Sequence, residues 1–242
     1  MLTVYKFTSF GRSSDMSQFV VKLETYLRMA GIPYQTAVGD PRSAPKKKLP
    51  YIDDDGKVIA DSSLILAHLQ SKHGDTLDDG RLSPEERATA RAWKALFESD
   101  LYFVIAYNRW WRDEDFALYR PALLRFLGEA GVPAVIRPIA ATMVRRGTKA
   151  QLFQQGVARH SFDEVMAFGC EQLAAVSDFL GGKPFFLGDR PSSLDATAFA
   201  FVSAILWGPF EGPLKSFAQR RANLVSYCER MHDAYWRDAP TA

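Results

Sequence analysis

Hydrophobic positions in the first 73 residues switch period several times, whereas beyond residue 83 they keep almost throughout to the three- and four-residue spacing of helices. Residues 2–7 alternate β-branched and aromatic side chains and read as a strand. Residues 17–30 carry Phe19, Leu23, Tyr26, Leu27 and Ala30 at helical spacing, and Gly31 followed by Pro33 stops the run. A second strand is predicted at 34–38, followed by an irregular stretch rich in Pro, Lys and Gly. Residues 51–53 and 57–60 flank Asp54-Asp55-Gly56, whose Asp-Gly step signals a hairpin. Leu64, Ile65, Leu66 and Leu69 return to helical spacing over 62–73. The order β-α-β then β-β-α describes a small mixed sheet with helices packed on it.

Residues 74–82 read as a polar linker with little to bury. Ser83-Pro84-Glu85-Glu86 then supplies a capping hydroxyl, a first-turn proline and a reciprocal glutamate, so a helical region opens there. One long helix with a heavy aromatic face is predicted over 88–112. A second capping box, Ser161 to Glu164, opens a helix ending near Leu180-Gly181, and Ser192-Ser193-Leu194-Asp195 opens the apolar run 196–207. The last helix is predicted over 223–236. Two domains follow, 1–75 and 83–242, each of ordinary size.

Charge narrows the partner class. With 30 Lys+Arg against 28 Asp+Glu the net charge is only +2, without the footprint of a dedicated nucleic-acid binder. Two cysteines, Cys170 and Cys228, are too few for a disulfide scaffold and sit in apolar helical contexts, as buried reduced thiols would. The N-terminus lacks the basic and apolar regions of a signal peptide, and no apolar run is long enough for an integral membrane segment, so the expected location is cytoplasmic. The four histidines form no ligand cluster, and no metal is expected.

Several stretches, in order and spacing, resemble the glutathione S-transferase superfamily. Ser17-Gln18-Phe19 stands where that superfamily enters its first helix, with Gly31-Ile32-Pro33-Tyr34 at the familiar distance. Lys48-Leu49-Pro50-Tyr51-Ile52 is similar to its cis-proline run, Asp61-Ser62 to its acidic-serine pair, and Pro191 to Asp195 to the Ser-x-x-Asp box of its helical half. The wording of 21–32, 56–63 and 156–161 resembles the bacterial branch related to the failed-axon-connections and metaxin proteins. The resemblance covers the whole chain. It implies an α/β thioredoxin-like N-terminal domain plus an all-α C-terminal helical bundle, glutathione as cosubstrate, a small apolar electrophile as second substrate, and a homodimer.

Glutathione chemistry needs a thiolate, because an unperturbed thiol titrates near ~8.5. Ser17 at a helix N-terminus is suited to stabilising it, since its hydroxyl can donate while free N–H groups and the helix dipole favour negative charge. Ser17 could equally be a plain cap, and Tyr5 and Ser14 are rivals for the thiol. No cysteine lies between Gly11 and Lys22, so protein-thiol exchange is excluded at this position. By the resemblance, the Leu49-Pro50 bond is cis and Leu49 offers its backbone to the cysteinyl part of glutathione. Asp61 is assigned the γ-glutamyl ammonium and Ser62 its carboxylate, and Lys48 the glycine carboxylate unless Lys46 to Lys48 is a solvated run. Ser192 and Asp195 read as structural, since no histidine stands at a spacing that would make them a catalytic set.

Tyr107 and Trp111, at i and i+4, are candidates for an apolar substrate wall, although such stripes are more often core. Arg109 could face the cleft or water. In 133–160, Arg137, Arg145, Arg146, Lys149 and Arg159 interleave with Val135, Ile136, Ile139, Ala140 and Val144, as in an amphipathic basic helix. A cover for the cleft, a subunit contact and a membrane-surface contact are the readings open to it. The functional alternatives are a transferase, a glutathione-dependent organic peroxidase, and a non-catalytic binding or scaffold protein.

Overall fold

The computed structural model describes residues 1–237. Strands β1 (Leu2–Lys6), β2 (Gln35–Val38), β3 (Tyr51–Asp54) and β4 (Lys57–Ala60) form one sheet in the order β2-β1-β3-β4. The β1–β2 pair is parallel, joined through α1 (Gln18–Met29), and the other two pairs are antiparallel. Val4 pairs with Ile52, and both are fully buried beneath α1 and α2 (Ser62–His73) with Leu23, Leu27, Ile65 and Leu69. Alternation along the strands turns Tyr5 and Tyr51 to the opposite face, where their rings stack at 4.3 Å.

The helical part begins at α3 (Pro84–Ala95), where Ser83 and Glu86 complete the expected capping box. The long helix expected over 88–112 is interrupted: Leu96–Leu101 forms a π-helical turn before α4 (Tyr102–Trp110). The extra residue in that turn lets Phe97 and Leu101, both fully buried, face the core while Glu98 turns toward α1. Helices α5 (Asp113–Glu129) and α6 (Arg137–Gln155) make a hairpin out of the stretch whose sequence is least transparent. Helices α7 (Phe162–Leu180), α8 (Ser193–Leu206), α9 (Pro213–Gln219) and α10 (Ala222–Tyr235) complete the bundle.

Helix α8 runs through the middle of the molecule and packs along α1, with Phe19 edge-on to Phe201 at 5.6 Å. At its start the Asp195 carboxylate, fully buried, accepts from the backbone N–H groups of Phe186 and Ser192, each at 2.9 Å, and from the Ser192 and Tyr227 hydroxyls. Ser192 thus donates to the carboxylate, and the pair ties α8, α10 and the preceding loop together. The segment 74–82 is less loose than its composition suggests. Leu82 is buried, and the Asp79 carboxylate accepts from the Ser193 N–H. Cys228 is fully buried as expected, whereas Cys170 is only half-buried; both are free thiols.

Candidate functional site

Strand register brings the candidate site together. Tyr51 pairs with Ala60, so Leu49-Pro50, entering β3, lies beside Asp61-Ser62, leaving β4. The Leu49–Pro50 peptide is cis. Met16, just ahead of α1, and Leu49 are buried in one apolar cluster with Phe10, Phe116, Tyr119 and Phe210, which places the α1 entrance against the prolyl segment. Gly39, just after β2, leaves room for the Leu49 side chain, because a Cβ there would stand 2.5 Å from one of its methyls.

Ser17 occupies the N-cap position of α1 in an extended conformation and is half-buried, but its side chain makes no capping hydrogen bond. Its neighbours fix the turn ahead of the helix without capping it. The Asp15 carboxylate accepts from the Ser17 N–H at 2.8 Å, while Arg109 donates to the Met16 carbonyl at 2.7 Å. Arg109 faces neither cleft nor water: it is buried within an aromatic wall of Phe10, Tyr119 and Phe210, and burial lowers its pKa. Asp15 is also buried with one oxygen unpartnered among the described residues, and burial raises its pKa well above the ordinary carboxylate value. The sequence offers little warning of this pair, since Asp15 lies in a loop and Arg109 in a mixed stripe.

At the second wall, Asp61 adopts φ 85°, a left-handed conformation costing of order 1–3 kcal/mol for a non-glycine residue. One of its carboxylate oxygens accepts the N–H groups of Ser63 and Leu64 at 3.0 and 3.3 Å, which leaves the other oxygen for a cation. Ser62 is buried, and its hydroxyl accepts from the Lys22 ammonium at 3.2 Å. Lys22 itself is completely buried and makes a 2.6 Å ion pair with Glu98, carried in by the π-helical turn. Burial lowers the Lys22 pKa to about 8 against the opposing pull of Glu98. Two of its three N–H donors are thereby used. Sequence reasoning misses Lys22 as a site residue, although a lysine three residues after Phe19 and four before Tyr26 falls on the buried face of the helix.

Of the other candidates, Tyr5 is stacked on Tyr51, on the sheet face away from α1, and packs against the cluster that holds Met16 and Leu49. Ser14 donates to Glu24 at 2.9 Å, which also takes Lys6 at 2.8 Å, and it lines a groove along β2 that Ser17, Leu49 and Ser62 do not line. Lys48 is exposed. Tyr107 is core, 2% exposed, with Trp111 stacked on it at 5.5 Å. Lys149 of α6 covers the Trp111 ring at 4.4 Å, so these two side chains do not form an open wall here.

Residues 18–116 match the family model of the glutathione S-transferase N-terminal domain, and 169–231 that of the glutathione S-transferase C-terminal domain. The chain is 33% identical over 241 residues to an isoprene-epoxide–glutathione S-transferase of a Rhodococcus strain, covering 97% of this chain and 99% of the relative. It belongs to the glutathione S-transferase family. It is also 32% identical to Failed axon connections of Drosophila melanogaster, over 98% of this chain but 59% of that protein. A theta-class glutathione S-transferase from the citrus canker pathogen Xanthomonas axonopodis pv. citri, solved with glutathione bound, has the same fold, with a TM-score of 0.62, 18% identity and coverage of 100% of this chain and 98% of that one. No helix among the described residues is long and apolar enough to cross a membrane.

Proposed function

We propose that this protein is a glutathione transferase whose thiolate attacks a small apolar electrophile such as an epoxide. The observation that carries the reading is the α1 entrance beside Leu49-Pro50 and Asp61-Ser62, with a Ser17 hydroxyl that caps nothing. The similarity along the full length to an epoxide-conjugating relative supports it. Ser17 donates to the sulfur, and the α1 N-terminus adds a favourable field, so the thiol proton passes to water near neutral pH. The thiolate then attacks an epoxide carbon, the C–O bond breaks, and the alkoxide takes a proton from solvent. Ser62, with Lys22 behind it, receives the γ-glutamyl carboxylate, the second Asp61 oxygen its ammonium, and the Leu49 backbone the cysteinyl unit. Lys48, exposed beside the prolyl segment, meets the glycine carboxylate.

The assignment extends to a cytoplasmic homodimer acting in detoxification. A binding protein without turnover is the second reading, favoured by the covered Tyr107–Trp111 pair. Calorimetric titration of wild type and Ser62→Ala with glutathione, alongside turnover of a small epoxide, separates the two. Binding that weakens about tenfold in the variant, together with turnover in wild type, supports the transferase. Binding without turnover of epoxides, activated halides or organic peroxides supports the binding protein, and absence of binding at millimolar glutathione overturns both.

A further inference from the structure

Half of the exposed large hydrophobic side chains among the described residues fall in one short stretch: Val135, Ile136, Ile139, Met143, Val144 and Phe153. Val135 is 84% exposed, Met143 67% and Ile139 62%. Ile136, Ile139, Met143 and Phe153, with the exposed Ala150, follow one another by three, four or seven residues and so share one side of α6. The inner side is already satisfied. Ala141 and Leu152 are buried, Arg145 donates to the Trp110 and Trp111 carbonyls, and Lys149 lies on the Trp111 ring. Nothing in the fold of the chain needs the outer stripe to be apolar, and contiguous apolar surface rimmed by polar residues marks an interaction face.

Charge identifies the occupant. Between Glu129 and Asp163 the chain carries no acidic residue but five cations, Arg137, Arg145, Arg146, Lys149 and Arg159. Arg145 pairs with Asp113 at 2.8 Å, and the other four have no carboxylate within 4.0 Å among the described residues. A second copy of the chain would oppose this acid-free face to itself across a two-fold axis, which sets like charges together. A nucleic acid would match the cations but give the aliphatic stripe nothing to bury against. An anionic bilayer surface answers both features: headgroups take the exposed Arg146 and Arg159, the latter over the Phe153 ring, and the acyl boundary takes Ile139, Met143 and Phe153.

We propose that the outer face of α6 docks the protein peripherally on anionic phospholipid membranes. The helix lies in the plane of the surface, about 28 Å of it at 1.5 Å per residue. The contact is reversible and weakened by salt, since exposed cations are screened over about 10 Å at 0.1 M ionic strength.

The test is co-sedimentation of the full chain with vesicles of phosphatidylcholine containing about 30% phosphatidylglycerol, against phosphatidylcholine alone, at about 0.1 M and about 0.5 M salt. Binding to the anionic vesicles at low salt, with loss at high salt, is expected. Arg146→Gln should lower the partition coefficient about fivefold, the equivalent of about 1 kcal/mol per cation near an anionic surface. Ile139→Glu/Met143→Glu should abolish binding while leaving the circular-dichroism melt in place, because both side chains are exposed. Wild type that fails to bind, or binding indifferent to the double substitution, overturns the proposal. So does a double variant that turns a wild-type dimer into a monomer in light scattering, since α6 would then be a contact between copies, or one that loses an acidic protein partner while keeping its lipid binding.

Discussion

Replacing Lys22 by Met tests the buried junction that joins the two halves of the chain. The ammonium is 0% exposed and holds Glu98 at 2.6 Å and Ser62 at 3.2 Å. Methionine fills most of the same volume but leaves Glu98 without its partner. Removing one member of a buried pair costs about 3–5 kcal/mol. Glu98 keeps 16% exposure and can rehydrate in part, so about 2–3 kcal/mol is expected, a fall in Tm of roughly 4–12 °C for a chain of this size. Lys22→Met/Glu98→Gln should recover most of the loss, because it removes the stranded charge.

The pH dependence carries a sign. Unfolded, Lys22 holds its proton up to the ordinary ammonium value of 10.5, and folded only to about 8. Between these values the unfolded state binds more protons, so stability contributed at this residue is lowest below pH 8 and rises toward pH 10.5. The advantage of wild type over Lys22→Met, read from urea unfolding at a series of pH values, should therefore widen across that window. Should the gap stay flat or narrow, or the single substitution cost less than about 1 kcal/mol, the reasoning about this junction is wrong. If Ser62 receives the glutathione carboxylate, the same substitution raises KM for glutathione about tenfold, or about 1.4 kcal/mol, with kcat little changed.

Ser17→Ala should lower kcat about 10–100-fold, the worth of one hydrogen bond to a charged sulfur, while calorimetry finds glutathione affinity almost unchanged; unaltered turnover would remove Ser17 from the chemistry. Asp195→Ala leaves the Phe186 and Ser192 N–H groups and the Tyr227 hydroxyl without their acceptor, and should cost about 3–5 kcal/mol in chemical denaturation with activity per folded molecule retained. A thiol reagent should modify Cys170 alone, and slowly, in the native protein, because burial raises the pKa of both thiols and closes Cys228 to solvent. Two thiols reacting at equal rates without denaturant would contradict that packing.

Much of the fold is legible in the chain because it is written locally. Period-two alternation, the Asp54-Asp55-Gly56 turn and the boxes at Ser83 and Ser161 each act within a few residues, and the elements they mark are present in the structure. The break in the aromatic helix is not legible. Nothing local at Leu96–Leu101 departs from helical spacing; the π turn answers the tertiary demand that Phe97 and Leu101 fill the core while Glu98 meets Lys22. Leu82 and Asp79 look unremarkable in the chain for the same reason, since the partners that bury or bind them lie far along it.

By itself the sequence determined the order of the strands and of the helices marked by caps or stops, the turn chemistry between them and the family to which the chain belongs. Only the tertiary structure decided which charges are inside. Lys22, Glu98, Asp15 and Arg109 look like ordinary polar positions until distant elements close over them, because desolvation depends on the whole packing and not on neighbours in the chain. The same holds for α6, which reads in the chain as an amphipathic basic helix and whose outward apolar face only the packing reveals.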